Sequence, residues 1–185
     1  KNLNKLHLDG AVYPSHILQN VKKLNIKKKK TIFFYSGSFF KNTGLEILLE
    51  AIDLLKENNF ELWISGSGDD RFIKSAMKTD NRIKFLGLLS TNQLLNTYKK
   101  ADIFLNPRPV NMTSNDISFP SKLFDYLWWN KPIISTCTKS LDPKYREILD
   151  IVEDDPVSIA LAIRGYLEGK KYSKNKNKEW IINKN

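Results

Sequence analysis

The chain has 185 residues, a length that suits one domain with a full hydrophobic core. Hydrophobic residues make up 41% of it, but no apolar run approaches the roughly 20 residues that a membrane-spanning helix needs, and the single cysteine, Cys137, excludes an internal disulfide. The net charge of +10 favours an anionic partner without choosing among nucleic acid, a membrane surface and a phosphorylated small molecule.

Residues 1–26 show no clear core pattern, so we interpret them as a lead-in. Residues 31–36 form a β-branched and aromatic run that ends at Gly37, as a buried parallel strand does. Leucine and isoleucine then recur at helical spacing over residues 44–57, which predicts an amphipathic helix.

The alternation continues, with Ser90 expected to cap one of the helices. Further strands are predicted at 60–65, 82–86, 102–106, 132–136 and 149–152, and further helices at 70–78, 91–100, 120–129 and 156–167. This order predicts an α/β fold, a Rossmann-like doubly wound parallel sheet. Ligands of such sheets bind outside the carboxyl ends of the strands.

The loop at residues 36–44 joins a strand to a helix through glycines, small hydroxyls and a lysine, a composition that suits a phosphate but also an ordinary turn. The loop at 64–70, again with two glycines, leaves the same alternatives open. The two loops together favour a ligand site more than either alone, because both should face one crevice.

The segment 115–131 carries the strongest signal. Ser118 can cap the following helix and Pro120 suits its first turn, so the backbone N–H groups of Ser121 and Lys122 should point out of the helix start. A diphosphate placed there would meet these donors, the helix dipole and the Lys122 ammonium.

Asp125 lies three residues after Lys122 and therefore on the same helical face. Its carboxylate can accept hydrogen bonds from the vicinal hydroxyls of a ribose, so the pair suits a nucleotide. A surface ion pair, worth a few tenths of a kcal/mol, is the alternative explanation for the same spacing.

With these residues in place, the chain resembles the retaining GT-B glycosyltransferases of the glycosyl transferases group 1 family, in their nucleotide-binding C-terminal domain. The resemblance runs from about Thr31 to Leu167. The segments that carry it are Tyr35-Ser36-Gly37-Ser38, Ile64-Ser65-Gly66-Ser67-Gly68, Ala101-Asp102-Ile103-Phe104-Leu105-Asn106-Pro107, Ser118-Phe119-Pro120-Ser121-Lys122-Leu123-Phe124-Asp125-Tyr126-Leu127 and Lys131-Pro132-Ile133-Ile134-Ser135-Thr136.

The resemblance implies two acidic residues, the first near the transferred sugar and the second holding the donor ribose. Asp125 matches the second position. The first falls on Ile117, which is not an acid, and Asp116 and Asn115 are the candidates to replace it.

The family's diphosphate-binding arginine and lysine fall on Ser38 and Thr43, so Lys41 and Lys122 are the candidates to supply the missing charge. Lys122, which would stabilise the departing diphosphate, is the catalytic candidate, and the base should lie against the loop near Leu89. The donor contacts implied are Gly37, Ser38, Lys41, Thr43, Leu89, Ser118, Phe119, Ser121, Lys122, Leu123 and Asp125.

By the same resemblance, residues 27–169 are the donor-binding domain, 1–26 the end of an interdomain connection and 170–185 the start of a helix returning to a second domain. The chain alone is then expected to bind a nucleoside-diphosphate sugar without transferring it. The intact enzyme would transfer the sugar to a saccharide or lipid-linked acceptor in surface polysaccharide biosynthesis.

No metal, cofactor or nucleic acid is expected. The expected location is the cytoplasm or the inner face of the membrane, with a peripheral membrane contact left open.

Two alternatives differ in class. A nucleotide-sugar epimerase can share the GT-B plan, but it needs acid and base residues in the cleft, where His7 and His16 are poorly placed. A non-enzymatic basic module could bind nucleic acid or an anionic membrane through lysine clusters, but it leaves the segment 120–125 unexplained.

Overall fold

A computed structural model describes residues 30–117 and 119–170. The predicted lead-in at 1–26, Ser118 and the tail from residue 171 onward lie outside the described residues. The described strands are β1 (Thr31–Phe39), β2 (Phe60–Gly68), β3 (Ile83–Phe85), β4 (Ile103–Asn106), β5 (Ile133–Thr136) and β6 (Asp150–Val152). The described helices are α1 (Leu45–Asp53), α2 (Arg71–Thr79), α3 (Thr91–Lys100), α4 (Thr113–Ile117), α5 (Lys122–Trp128) and α6 (Pro156–Leu167), with 3-10 turns at Lys41–Thr43 and Pro143–Glu147.

In the described ranges, six parallel strands form one sheet in the order β3-β2-β1-β4-β5-β6. The first described strand, β1, therefore lies in the middle of the sheet, which builds outward through β2 and β3 and then continues on the other side through β4. The predicted Rossmann-like doubly wound fold is confirmed. The reversal of direction lies between β1 and β4, where such sheets open a crevice for ligands.

The two faces of the sheet are covered by separate hydrophobic layers. Phe33 points into a layer with α1 and α6, whereas the next residue, Phe34, points into a layer with α5 and packs edge to face on Tyr98, with ring centroids 5.6 Å apart. Successive residues of a strand point to opposite faces, so an uninterrupted apolar run is what a strand covered on both sides requires.

The first two strands are longer than predicted. β1 continues through Phe39 and β2 through Gly68, so the segments expected to be loops instead pair in register, with Gly37 opposite Gly66. A Cβ at Gly66 would come within 1.7 Å of the Gly37 carbonyl oxygen, so the strands approach closely because these positions lack side chains.

Helix α1 is shorter than the predicted range of 44–57. The buried Arg82 guanidinium donates hydrogen bonds to the carbonyl oxygens of Ile52 (2.9 Å), Leu55 (2.6 Å) and Glu57 (2.9 Å). These bonds satisfy carbonyl groups at and beyond the helix end, so the chain can leave the helical path.

Two differences lie next to the segment with the strongest sequence signal. The short helix α4 was not predicted, and α5 begins at Lys122 instead of residue 120. The Pro120 carbonyl accepts from the Leu123 N–H at 2.9 Å, so a turn precedes the helix. The predicted cap, Ser118, lies outside the described residues, and Ser121 occupies the N-cap position without a side-chain cap bond.

Gly44 brings the connection after β1 against the segment that follows β4. Its φ of +75° lies in the left-handed region, and a Cβ there would lie 1.6 Å from the Pro107 carbonyl oxygen. Only glycine satisfies both the backbone conformation and this contact.

We expect Gly44→Ala to be more destabilising than Gly87→Ala. Gly87 has a similar φ of +68°, but a Cβ added there would meet nothing within 4 Å. Both substitutions place alanine in the left-handed region, at about 1–2 kcal/mol, and only Gly44→Ala adds a backbone clash of about 1–3 kcal/mol. Equal losses of unfolding free energy in urea titrations would contradict the close approach.

Candidate functional site

A pocket of about 390 Å³ opens at the carboxyl ends of β1 and β4. Its floor comes from the end of β1, one wall from the 3-10 turn after it, and the opposite wall from the start of α5. The lining residues are Ser36, Gly37, Ser38, Phe40, Asn42, Thr43, Arg108, Phe119, Pro120, Ser121, Lys122 and Asp125. The pocket therefore occupies the reversal point of the sheet.

The Lys122 side chain lies across the floor of the pocket. Its ammonium sits 4.7 Å from the centroid of the Tyr35 ring, and a Cβ on Gly37 would come within 2.2 Å of Nζ. The absence of a side chain at Gly37 thus gives the ammonium its place beneath the strand end. The aromatic face of Tyr35 is a favourable neighbour for a cation.

The Lys122 ammonium is poorly solvated. Burial, and to a smaller extent the nearby positive charge of Arg108, lower its pKa from 10.5 to about 8. A cation with a lowered pKa gains from any anion that enters the pocket, because the anion restores the stabilisation that water provides elsewhere.

Asp125 lies one turn further along α5 and also faces the pocket. Burial raises the pKa of its carboxyl, an effect partly opposed by the Tyr98 hydroxyl, which donates to Oδ2 at 3.5 Å. The second oxygen of the carboxylate can serve as an acceptor for a ligand hydroxyl.

The next residue, Tyr126, ties α5 to β1. Its hydroxyl accepts from the Ser36 N–H at 3.0 Å, and its ring stacks on Phe104 with centroids 4.5 Å apart. Burial raises the pKa of the Tyr126 hydroxyl. This fixed contact sets the position of Lys122 and Asp125 relative to the end of β1.

Most of the predicted contact residues come together here. Gly37, Ser38, Thr43, Phe119, Ser121, Lys122 and Asp125 all line the pocket. Their contact with a donor stays a prediction.

Three predicted contact residues lie elsewhere. Lys41 is exposed on the 3-10 turn, where its side chain does not line the pocket. Leu123 is fully buried in the core, and its N–H donates a hydrogen bond to the Pro120 carbonyl oxygen. Leu89 follows β3, away from the pocket lining. The expectation that Lys41 supplies the missing charge stays a prediction.

Arg108 was missed by sequence reasoning. It lies two residues beyond β4, lines the pocket, and has a guanidinium pKa lowered by burial. A signal was available, since Arg108 follows the carboxyl end of a strand at the predicted crevice. A single arginine in a loop belongs to no helical or strand spacing pattern, so such patterns do not single it out.

The position expected to hold an acid near the sugar remains without one. Ile117 is 84% exposed, and Asp116 accepts a hydrogen bond from the Lys139 ammonium at 2.8 Å. Asn115 is fully buried, and its amide donates to the carbonyl oxygens of Asn42 (2.9 Å) and Pro109 (2.8 Å). Asn115 therefore holds the walls of the pocket together.

The fold and the position of the pocket define a Rossmann-like domain of the GT-B type. The sequence matches the family described as Glycosyl transferases group 1 over residues 17–178, so the chain belongs to this family. No curated protein matches the sequence.

Three solved structures show the same fold. A sucrose-phosphate synthase from Thermosynechococcus elongatus has 19% identity and a TM-score of 0.64, over 86% of this chain and 42% of that one. The C-terminal domain of a glycosyl transferase group 1 family protein from Francisella tularensis has 18% identity and a TM-score of 0.64, over 84% of this chain and 86% of that one. An Anabaena protein in complex with UDP and glucose has 12% identity and a TM-score of 0.59, over 83% of this chain and 43% of that one.

We expect the stability of the protein relative to Lys122→Met to rise with pH above about 8. The pKa of Lys122 is about 8 in the folded state, below its usual 10.5. At pH below 8 the buried ammonium therefore lowers the free energy of unfolding. This loss of stability diminishes between pH 8 and 10.5, where the amine is neutral in the folded protein but still protonated in the unfolded one. Urea titrations between pH 7 and 10.5 would measure the difference, with the exposed Lys84→Met as control. A difference that is constant over this range would contradict the burial of the Lys122 ammonium.

Proposed function

We propose that this chain is the donor-binding domain of a glycosyltransferase whose donor is a nucleoside-diphosphate sugar. The observation that carries the proposal is the pocket at the reversal point of the sheet, lined by both Lys122 and Asp125. Residues three apart on a helix share a face, so a cation and a carboxylate act on one ligand from adjacent turns. The phosphate and ribose of a nucleotide have this polarity.

Lys122 acts on the diphosphate. Its ammonium is held over Tyr35 and is poorly solvated, so a phosphate oxygen gains a charge-assisted hydrogen bond in a site of low dielectric constant. The small residues Gly37 and Ser38 let the phosphate approach the strand end. A leaving diphosphate carries more charge than the bound donor, so Lys122 contributes to catalysis without a metal ion.

Asp125 acts on the ribose. Its carboxylate faces the pocket and accepts hydrogen bonds from two vicinal hydroxyls. Burial raises the pKa of this carboxyl, and donor hydroxyls offset that loss of solvation. The base lies towards the connection after β3, near Leu89.

The relatives support the same interpretation. The Anabaena structure contains UDP and glucose, which together represent the parts of a nucleotide-sugar donor. The chain spans 42% of the length of the sucrose-phosphate synthase. An acceptor site on a second domain is compatible with this coverage, and we infer that this chain alone does not transfer sugar. The complete enzyme retains the anomeric configuration of the transferred sugar.

The acceptor is a saccharide or a lipid-linked saccharide in surface polysaccharide biosynthesis, handled in the cytoplasm or at the inner face of the membrane. Within the described ranges, no helix is long and apolar enough to cross a membrane. The net charge of +10 is compatible with a peripheral contact to anionic lipid.

A nucleotide panel tests the proposal. We expect at least one of UDP, GDP, ADP and CMP to raise the Tm of the protein, because a ligand of the folded state stabilises it. In calorimetric titrations, Lys122→Met and Asp125→Asn should each weaken binding by roughly tenfold or more, the loss of one charge-assisted hydrogen bond.

The controls are the exposed substitutions Lys84→Met and Asp53→Asn, which remove the same charges elsewhere. A 2′,3′-dideoxy nucleotide should bind the parent more weakly, but it should bind Asp125→Asn about as well as the ribonucleotide does. The proposal fails if no nucleotide stabilises the parent at millimolar concentration, or if both controls weaken binding as much as the pocket variants.

A further inference from the structure

Arg108 lies in the pocket, but neither the diphosphate contact of Lys122 nor the ribose contact of Asp125 involves it. Of the described residues that line the pocket, two are cationic, Lys122 and Arg108, and one is anionic, Asp125. The lining residues that come from β1 and the turn after it are all uncharged. The charged residues of the pocket therefore come from two parts of the chain, α5 and the segment after β4.

The two cations are close enough to affect one another. The positive charge of Arg108 contributes to the lowered pKa of Lys122, and burial lowers the pKa of Arg108 itself. Two like charges in a partly desolvated pocket repel each other, and the attraction of both to a polyanion placed between them would outweigh that repulsion.

The backbone of Arg108 is fixed by contacts that do not involve its side chain. The Thr136 hydroxyl donates to the Arg108 carbonyl oxygen at 2.5 Å, the Asn115 amide donates to the next carbonyl, and the preceding carbonyl of Pro107 packs on Gly44. The root of the side chain is therefore preorganised, which reduces the entropy lost on binding.

We propose that Arg108 is the second phosphate-binding residue of this pocket, and that a diphosphate bridges the Arg108 guanidinium and the Lys122 ammonium. This inference rests on the proposed function for the identity of the natural ligand, but not for the anion chemistry. A guanidinium presents several N–H donors in one plane, which suits two oxygens of a phosphate. The arrangement favours diphosphates over monophosphates, because two linked phosphate groups can engage both cations at once and carry more negative charge.

Calorimetric titration with UDP, UMP and inorganic pyrophosphate tests this. Arg108→Gln should weaken UDP and pyrophosphate binding by roughly tenfold or more and UMP binding by much less. Arg108→Lys should restore part of the loss. Arg146→Gln, which removes an exposed arginine from the 3-10 turn Pro143–Glu147, is the matched control and should leave all three affinities unchanged.

Proton uptake gives a second measurement that a purely structural role would not change. Three ionisable or charged groups surround the Lys122 ammonium. They are Tyr35 on β1, Arg108 in the segment after β4, and Asp125 on the same helix as Lys122. Above pH 8 the parent should take up protons as UDP binds, because the diphosphate of UDP is already fully ionised there and raises the pKa of Lys122. Arg108→Gln should take up fewer, because without the neighbouring cation more of Lys122 is already protonated.

The inference is overturned if Arg108→Gln binds pyrophosphate and UDP like the parent, or if it weakens UMP as much as UDP. If Arg108→Gln does not fold, the same comparison is made with Arg108→Lys, which should still reduce the preference for UDP over UMP. Arg108-dependent binding of pyrophosphate without binding of any nucleotide would leave this inference standing and refute the proposed function. Nucleotide binding that is independent of Arg108 would refute this inference and leave the proposed function standing.

Discussion

The close approach of the connections that follow β1 and β4 is the constraint on which the pocket depends. Gly44 packs directly against the Pro107 carbonyl, and the buried Asn115 amide bonds to Asn42 on one side and Pro109 on the other. A parallel sheet that reverses direction between these strands leaves a crevice there in any case. These contacts turn the crevice into a pocket with fixed walls, so that groups distant in sequence line one cavity.

The charged groups of the pocket are poorly solvated in the folded protein. Lys122 lies over Tyr35 in a site that lowers its ammonium pKa, Arg108 adds a like charge, and Asp125 has a carboxyl pKa raised by burial. Each of these pKa shifts marks a charge that is less stable in the folded protein than in water. On the proposed function, a phosphate and a ribose would offset this loss of solvation.

The fold was predictable because its strands are apolar on both faces, as Phe33 and Phe34 illustrate, and because helical and strand periods alternate clearly. The helix end set by Arg82 depends on a contact over 30 residues with Ile52, which no local pattern reveals. Within the site, the residues on α5 were predictable from their spacing. Arg108 was not, since the direction of a loop side chain depends on tertiary contacts.

A crystal structure of the chain with UDP, or with whichever nucleoside diphosphate binds most tightly, tests the central claim most directly. We predict the diphosphate within hydrogen-bond distance of Lys122 Nζ and the Arg108 guanidinium, with the ribose hydroxyls on the Asp125 carboxylate. A nucleotide bound at any other surface, or one whose phosphates lie away from both cations, would contradict this assignment of the pocket.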